Sequence, residues 1–324
     1  MKTIILLFSA SLFLILGSCR TQQPPRPQLS VVYIENASDW PFFVAVEKGI
    51  FDELGLKIEL IKAQDSTEAL NALLAGKADV SIENTYSVLF AIESKSPGEL
   101  RFFLPCSETQ NKFVSHLLVL KDSKINDVRE LKGKKIGTYT GATQVLTLKL
   151  FLKNHLGWNP DTDVQIIQVA QPLQVQALAA GQFDALFTIE PFSSAALAKG
   201  IARDILPYAR GKILDPFPAG ASSVRMNILT EKREAVRKLY EGMVRGAEFI
   251  DHNPEEAKMI LAKWTNLDAE STKFVGGYEY HDSNRFDRAK LDQVQKLADL
   301  YTEGGILSAR ISVENLFLKE DDLR

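Results

Sequence analysis

Ala72-Leu73-Leu74-Ala75-Gly76-Lys77-Ala78-Asp79 and Ala177-Leu178-Ala179-Ala180-Gly181-Gln182-Phe183-Asp184 are nearly the same octet written twice, with an offset of 105 residues between Gly76 and Gly181. In each copy a helical run ends at a glycine that can serve as its stop. An aspartate and a short apolar strand then follow, Val80 to Ile82 in the first copy and Ala185 to Ile189 in the second. Two copies are too few for a solenoid and suit two similar lobes.

The order of elements around each octet is also the same. Leu29 to Ile34 reads as a strand, and Trp40 to Lys48 as a helix with Pro41 in its first turn, Ser38 or Asp39 as its cap and Gly49 as its stop. Leu56 to Ile61 alternates like a half-buried strand. Asp65-Ser66-Thr67-Glu68 has the spacing of a capping box. In the second copy Lys135 to Thr138 is a strand, and Tyr139 to Thr143 is a loop opening a helix that ends near Gly157. Val164 to Val169 is a strand and Pro172 to Ala180 a helix. Both copies are βαβαβ, which predicts an α/β fold of two lobes, each a small parallel sheet flanked by helices. After Phe217 the pattern is mainly helical: Glu231 to His252, Pro254 to Trp264 and Arg288 to Thr302.

The chain has 324 residues, 45% hydrophobic and 24% charged, so wholesale disorder is excluded. Its formal net charge is −3 without long like-charge blocks, which argues against nucleic acid as a partner. Ile4 to Leu16 is an apolar run too short to span a bilayer comfortably and of secretory length. Leu16-Gly17-Ser18-Cys19 resembles the lipobox of bacterial lipoproteins. That resemblance implies a signal peptide over 1–18, lipidation of Cys19 and a proline-rich tether over 19–29. Export to the periplasm or cell surface follows, with a lipid anchor in the membrane. Cys106 then has no disulfide partner and reads as a structural thiol.

In open α/β sheets ligands sit beyond the carboxyl ends of the strands. Asp39 and Trp40 lie at one such end. Tyr139, Thr140, Gly141, Ala142 and Thr143 lie at another, opening onto a helix start with free N–H groups. Two further ends carry carboxylates and amides: Glu83-Asn84-Thr85-Tyr86, and Glu190 before Pro191. A carboxylate at the end of a buried strand is costly unless paired, which points to a site. Helix capping is the plainer role for Glu190, as it is for Thr140 and Thr143. The motifs of the common hydrolases, zinc proteases, P-loop proteins and dinucleotide binders are missing. The four histidines share no metal-ligand spacing. No catalytic residue, metal or cofactor is expected. Tyr278, Tyr280 and His281 read as surface or packing residues.

Trp40-Pro41-Phe42-Phe43-Val44-Ala45-Val46-Glu47-Lys48-Gly49-Ile50-Phe51 resembles the opening helix of the substrate-binding proteins of ABC importers that serve alkanesulfonates, taurine, nitrate and the thiamine pyrimidine precursor. Leu73 to Asp79, Leu131 to Gly137, Ala180 to Ala185, Glu190-Pro191-Phe192 and Gly304-Gly305-Ile306-Leu307 resemble further signatures of that family, in order, from about Ser30 to Leu307. The resemblance implies a two-lobed type II periplasmic-binding-protein fold with two crossings, placed near Val114 to Leu120 and Lys212 to Ala221. Lobe one would comprise 30–116 and 218–324, and lobe two 117–217. It further implies a monomer that binds a small-molecule solute in the cleft, closes by hinge motion and docks on ABC permease subunits. Carried over by position, the cleft is lined by Asp39, Trp40, Asn84 and Thr85, faced by Thr140 to Thr143 and Glu190, with Ser222 and Ser223 adding hydroxyls. Two departures stand out. Glu83-Asn84-Thr85-Tyr86 replaces the small-residue segment of many members. The cysteine-rich run of the pyrimidine-synthesising enzymes of the same fold is missing, which argues against that activity.

Asp39, Glu83 and Glu190 make the expected cleft acidic. Two unit charges ~4 Å apart interact by about 4 kcal/mol at an effective dielectric of 20, a penalty for a simple anion. A nitrogen-containing or zwitterionic solute fits better, with Glu190 accepting its N–H groups and Trp40, Tyr86 or Tyr139 stacking on a ring. The other two readings are a lipid-anchored sensor and an enzyme on the same fold.

Overall fold

The 105-residue offset carries through to the backbone. The structure, a computed structural model, describes residues 28–265, 267–282 and 285–323. The signal peptide, Cys19 and all but the last two tether residues lie outside the described residues. The strands are β1 (Leu29–Ile34), β2 (Ile58–Ala63), β3 (Val80–Thr85), β4 (Leu100–Glu108), β5 (Ser115–Leu120), β6 (Lys135–Tyr139), β7 (Gln165–Val169), β8 (Ala185–Ile189), β9 (Ala202–Pro207), β10 (Phe217–Arg225) and β11 (Glu279–Tyr280). One sheet runs β11-β4-β10-β3-β1-β2 and the other β7-β6-β8-β5-β9. Val31 pairs with Val80 across β1–β3, and Ile136 with Ala185 across β6–β8. Each member of the second pair lies 105 residues after its counterpart.

The octet's aspartate explains its repetition. The Ser30 N–H donates to Asp79 Oδ2 at 2.8 Å, and the Lys135 N–H to Asp184 Oδ2 at 2.9 Å. Each aspartate N–H returns a bond to the carbonyl of the same residue, at 2.8 and 2.9 Å. The aspartate thus pins the start of the neighbouring parallel strand. Gly76 and Gly181 take φ of +73° and +68°, left-handed stops that a Cβ would strain.

Both sheets are mixed rather than purely parallel. β10 lies antiparallel between β3 and β4, and β5 antiparallel between β8 and β9. The segment after Phe217 is therefore first a nine-residue strand and only then helical. The chain passes between sheets at 109–114 and again at 208–216. Both crossings precede the expected positions, because Ser115–Leu120 and Phe217–Ala221 are already paired strand.

The helix Trp40–Glu47 buries its first six residues and packs on the long helix Arg233–His252. The close approach needs Gly246, where a Cβ would meet the Pro41 carbonyl oxygen at 2.2 Å. One apolar cluster spans both sheets, joining Tyr86, Phe90 and Phe102 to Leu148, Phe151 and Phe187 through Leu297 and Tyr301. Among the described residues no helix is long and apolar enough to cross a membrane.

Candidate functional site

Two carboxyls meet at the carboxyl ends of β1 and β3. Asp39 is fully buried and Glu83 is 6% exposed. Ser38 or Asp39 was expected to cap the helix at Trp40; Asp39 takes the cap position but makes no side-chain capping bond. Its Oδ2 accepts the Ile34 N–H at 2.8 Å, and Asn36 accepts from Ser38 instead. Asp39 Oδ1 is buried without a partner among the described residues. Burial, and then the charge of Glu83, hold the Asp39 carboxyl well above the usual range. Burial pushes Glu83 up to about 7 against the opposing pulls of Ser38, Cys106 and Arg210. Glu83 lies directly over β10, where a Cβ on Gly220 would sit 2.0 Å from its Oε1. Asn84, Ser222 and Ser223 are buried beside it, and Asn84 Nδ2 and both serine hydroxyl oxygens lack hydrogen-bond partners among the described residues.

The two crossings meet on an ion pair. Arg210, on the short helical turn Ala209–Lys212, donates from Nη1 to Glu108 Oε1 at 3.2 Å and from Nη2 to the Tyr139 hydroxyl at 2.9 Å. Its own N–H donates to Ser115 Oγ at 3.0 Å. Glu108 Oε2 accepts the N–H groups of Val114 and Ser115, and the Tyr208 hydroxyl donates within this knot. Burial alone would weaken the guanidinium's hold on its proton, but Tyr139 and Glu108 outweigh it and Arg210 stays charged. Tyr278 is buried in the same region. Burial raises its hydroxyl well above the ordinary value, Arg210 opposes this, and Glu108, Glu83 and Cys106 add to it.

A third cluster sits where β5 and β8 begin and end. His116 Nδ1 faces Asp204 Oδ2 at 2.6 Å and Nε2 faces Glu190 Oε1 at 3.5 Å. Burial would lower the imidazole pKa, but the hydrogen bonds and charges of the two carboxylates outweigh it and raise it to about 9. Glu190 Oε2 accepts from the Ser194 N–H at 3.2 Å and from its hydroxyl, so Glu190 does cap the helix Phe192–Ala198. Its Oε1 also accepts the Gly276 N–H at 3.4 Å.

The other expected residues are more scattered. The Trp40 ring is buried and its indole N–H donates to the Ala257 carbonyl at 2.8 Å. Tyr86 stacks on Phe90 with centroids 5.1 Å apart. Thr85 is half-buried and bonds Ser87. Thr140, Gly141 and Ala142 are exposed and Thr143 half-buried. Gly141 takes φ +128° and its N–H donates to Gln168 at 3.2 Å, so the helix Ala142–Leu156 starts without a side-chain cap. Tyr278 and His281 are buried and Tyr280 half-buried, so of the two readings, surface or packing, the structure favours packing. The Tyr280 hydroxyl donates toward the Ala37 and Ser38 carbonyls, at 3.1 and 3.3 Å. Sequence reasoning passed over Glu108 and Arg210, and took Tyr278 for a surface or packing residue. Glu108 is the last residue of the buried strand β4, a carboxylate signal of the same kind as Glu83 in β3. Among the described residues no three His, Cys, Asp or Glu side chains stand close enough to hold a metal ion.

The profile of the NMT1-like family matches residues 22–266. A relative from Brucella abortus, named only as a binding protein, is 25% identical over 296 residues, covering 86% of this chain and 85% of its own. The periplasmic aliphatic sulphonate binding protein SsuA of Escherichia coli superposes with a TM-score of 0.73 at 17% identity, covering 89% of this chain and 96% of that one. The periplasmic nitrate-binding protein NrtA of Synechocystis PCC 6803 gives 0.69 at 16% identity, over 91% and 86%. These likenesses establish the fold. The pyrimidine phosphate synthase THI13 of Saccharomyces cerevisiae is also similar, 26% identical over 231 residues, with 67% of this chain and 64% of its own covered.

Proposed function

The chain belongs to the NMT1-like family, and from that premise we propose that it is the extracytoplasmic solute-binding component of an ABC-type importer. Relatives named as binding proteins and the shared fold with SsuA and NrtA support this reading. The solute is small, polar and nitrogen-containing or zwitterionic. The observation that carries this is the buried pair Asp39 and Glu83 at the strand ends of the first sheet. A ligand that donates N–H groups there meets two acceptors that burial leaves short of partners. The lobes close on it about the crossings at 109–114 and 208–216, and the closed form is handed to a permease. Lipidation at Cys19 keeps the monomeric binder near that permease.

Catalysis on this fold is the competing reading, because THI13 is an enzyme by name. The thiol of Cys106 speaks against a cysteine nucleophile. It is buried, and burial followed by the charge of Glu83 pushes it well above its ordinary value, away from the thiolate.

A thermal-shift screen of the full chain tests the proposal, with sulfonates, nitrate, thiamine precursors, nucleobases and amino-acid-like solutes. A true ligand at a hundredfold excess over Kd stabilises the folded state by about 2.7 kcal/mol. A shift with an amine or zwitterion, returned chemically intact, supports the proposal. A shift with sulfonate or nitrate alone keeps the importer role and overturns the carboxyl argument. A consumed ligand overturns the binder.

A further inference from the structure

We propose that residues 268–278 form a strap that fastens the first lobe across the second, with Glu190 as its catch. The strap holds the lobes together by contacts within the chain. Glu190 then serves this fastening rather than the N–H groups of a solute.

The segment is rooted in the first lobe at both ends. Before it, the helix Pro254–Thr265 packs on Trp40–Glu47, and the Trp264 ring stacks on Phe43 with centroids 4.6 Å apart. After it, β11 pairs antiparallel with β4, and the Tyr280 hydroxyl reaches the Ala37 and Ser38 carbonyls. The middle of the segment lies on the second lobe. Its short helix Ala269–Thr272 packs on Phe192–Ala198. The Gly276 N–H donates to Glu190 Oε1 at 3.4 Å. Tyr278 is buried in one apolar cluster with Cys106 of β4 and Val114 of the outgoing crossing, and Ile189, the last residue of β8, packs against it. Anchored on one lobe and seated on the other, the segment ties the two by packing, apart from the two chain crossings.

The catch is held ready from within the second lobe. Glu190 Oε2 accepts from the Ser194 N–H and hydroxyl, and His116 Nε2 faces Oε1 at 3.5 Å. This orients the carboxylate and presents Oε1 to Gly276. The Gly276 bond is long, so the catch depends on the fit around it. A Cβ on Gly276 would sit 1.9 Å from the Phe113 carbonyl oxygen. Its φ lies outside the left-handed region, so closeness alone demands glycine there. Any side chain must lift the strap from its seat.

The large apolar cluster that spans both sheets has a different place. It includes Ala209 and Ile213 of the return crossing. Gln293, on the adjoining helix Arg288–Glu303, donates from Nε2 to the Asp215 carbonyl at 3.1 Å in the same crossing. That cluster is built on the hinge, where parting the lobes separates atoms least. The contacts of the strap with Phe192–Ala198 and Glu190 must break when the lobes part.

The test is hydrogen exchange and small-angle X-ray scattering of the full chain, wild type and Gly276→Ala, with no solute added. The variant should exchange at least tenfold faster over 192–198 and 269–278 and show a larger radius of gyration. β6 and β7 should exchange as in wild type. Should Gly276→Ala fail to fold, Glu190→Gln, which keeps the shape of the acceptor and removes its charge, should shift the same readouts in the same direction. Unchanged exchange would overturn the proposal. So would faster exchange at the strap with an unchanged radius, because the strap would then come loose without the lobes parting. Exchange raised equally in β6 and β7 would also overturn it, by making Gly276 a support of global stability only. Since no solute enters the measurement, failure here leaves the importer reading untouched, and a silent solute screen leaves the strap standing.

Discussion

Raising the pH should loosen the chain at His116 before it touches most other groups. The imidazole is buried between Asp204 and Glu190 with the Phe113 ring 5.4 Å away, and its pKa is about 9 against an ordinary 6.5. Between those values the folded chain keeps a proton that the unfolded chain has lost. Stability then falls by about 1.4 kcal/mol per pH unit, and over this window the total is about 3 kcal/mol. The contribution is fully present below pH 6.5 and is lost as pH rises through 9. Urea unfolding at intervals from pH 6 to 10 measures it. The curve for His116→Gln supplies the baseline from other groups, and the difference between the two curves isolates the imidazole. Asp204→Asn should move the midpoint of that difference toward lower pH, since it removes the closer carboxylate. A wild-type curve that runs parallel to His116→Gln across the window would refute the reasoning, because it would mean that His116 is neutral in the folded chain.

The Glu83 carboxyl titrates with the opposite consequence for its mutant. Its folded pKa of about 7 against 4.5 means the folded chain loses stability as pH rises through that window. Glu83→Gln should therefore be more stable than wild type at pH 8, by up to about 3 kcal/mol, with the gain gone at pH 4; equal denaturant midpoints at pH 8 would show that the carboxylate is already compensated. Gly246→Ala places a methyl 2.2 Å from the Pro41 carbonyl oxygen and should cost about 1–3 kcal/mol as two helices are forced apart. An unchanged melting temperature would contradict that contact. Trp40→Phe removes the indole bond to the Ala257 carbonyl, so it should destabilise by about 0.5–1.5 kcal/mol in denaturant titration.

The parts of the fold legible in sequence are those in which local chemistry and tertiary role coincide. The octet reads as helix, glycine stop and strand because Gly76 and Gly181 need a left-handed backbone and Asp79 and Asp184 must reach a neighbouring strand's first N–H. β4 and β10 were not legible. Phe102 to Cys106 is buried on both faces, and a continuous apolar run carries no strand period. Phe217 to Arg225 contains Pro218, Gly220 and two serines, which read as loop; only its position between β3 and β4 makes it strand. The same division holds at the site. Glu83 announced itself as a carboxylate at the end of a buried strand. Arg210 gave no signal, since nothing local says that two crossings far apart in sequence will bury it.

The repeat also shows where the chemistry departs from the scaffold. Shifted by 105, Glu83 falls on Thr188 and Thr85 on Glu190. Thr188 is satisfied within its lobe, donating to Gln174 at 2.8 Å. Glu190 faces the charged His116 and also accepts from Ser194 and Gly276. At these two positions the second lobe meets its polar groups from its own neighbours, apart from the Gly276 bond supplied by the first, although Thr138 Oγ1, Gln174 Nε2 and Ser193 Oγ are buried without a hydrogen-bond partner among the described residues. Among the described residues, Asp39 Oδ1 has no hydrogen-bond partner, and Glu83 has the weak thiol of Cys106, at 3.6 Å, and the shared hydroxyl of Ser38. Unmet acceptors are costly when buried, and on the proposed reading a donor-bearing solute would remove that cost at Asp39 and Glu83, where the shifted position Thr188 already has its partner.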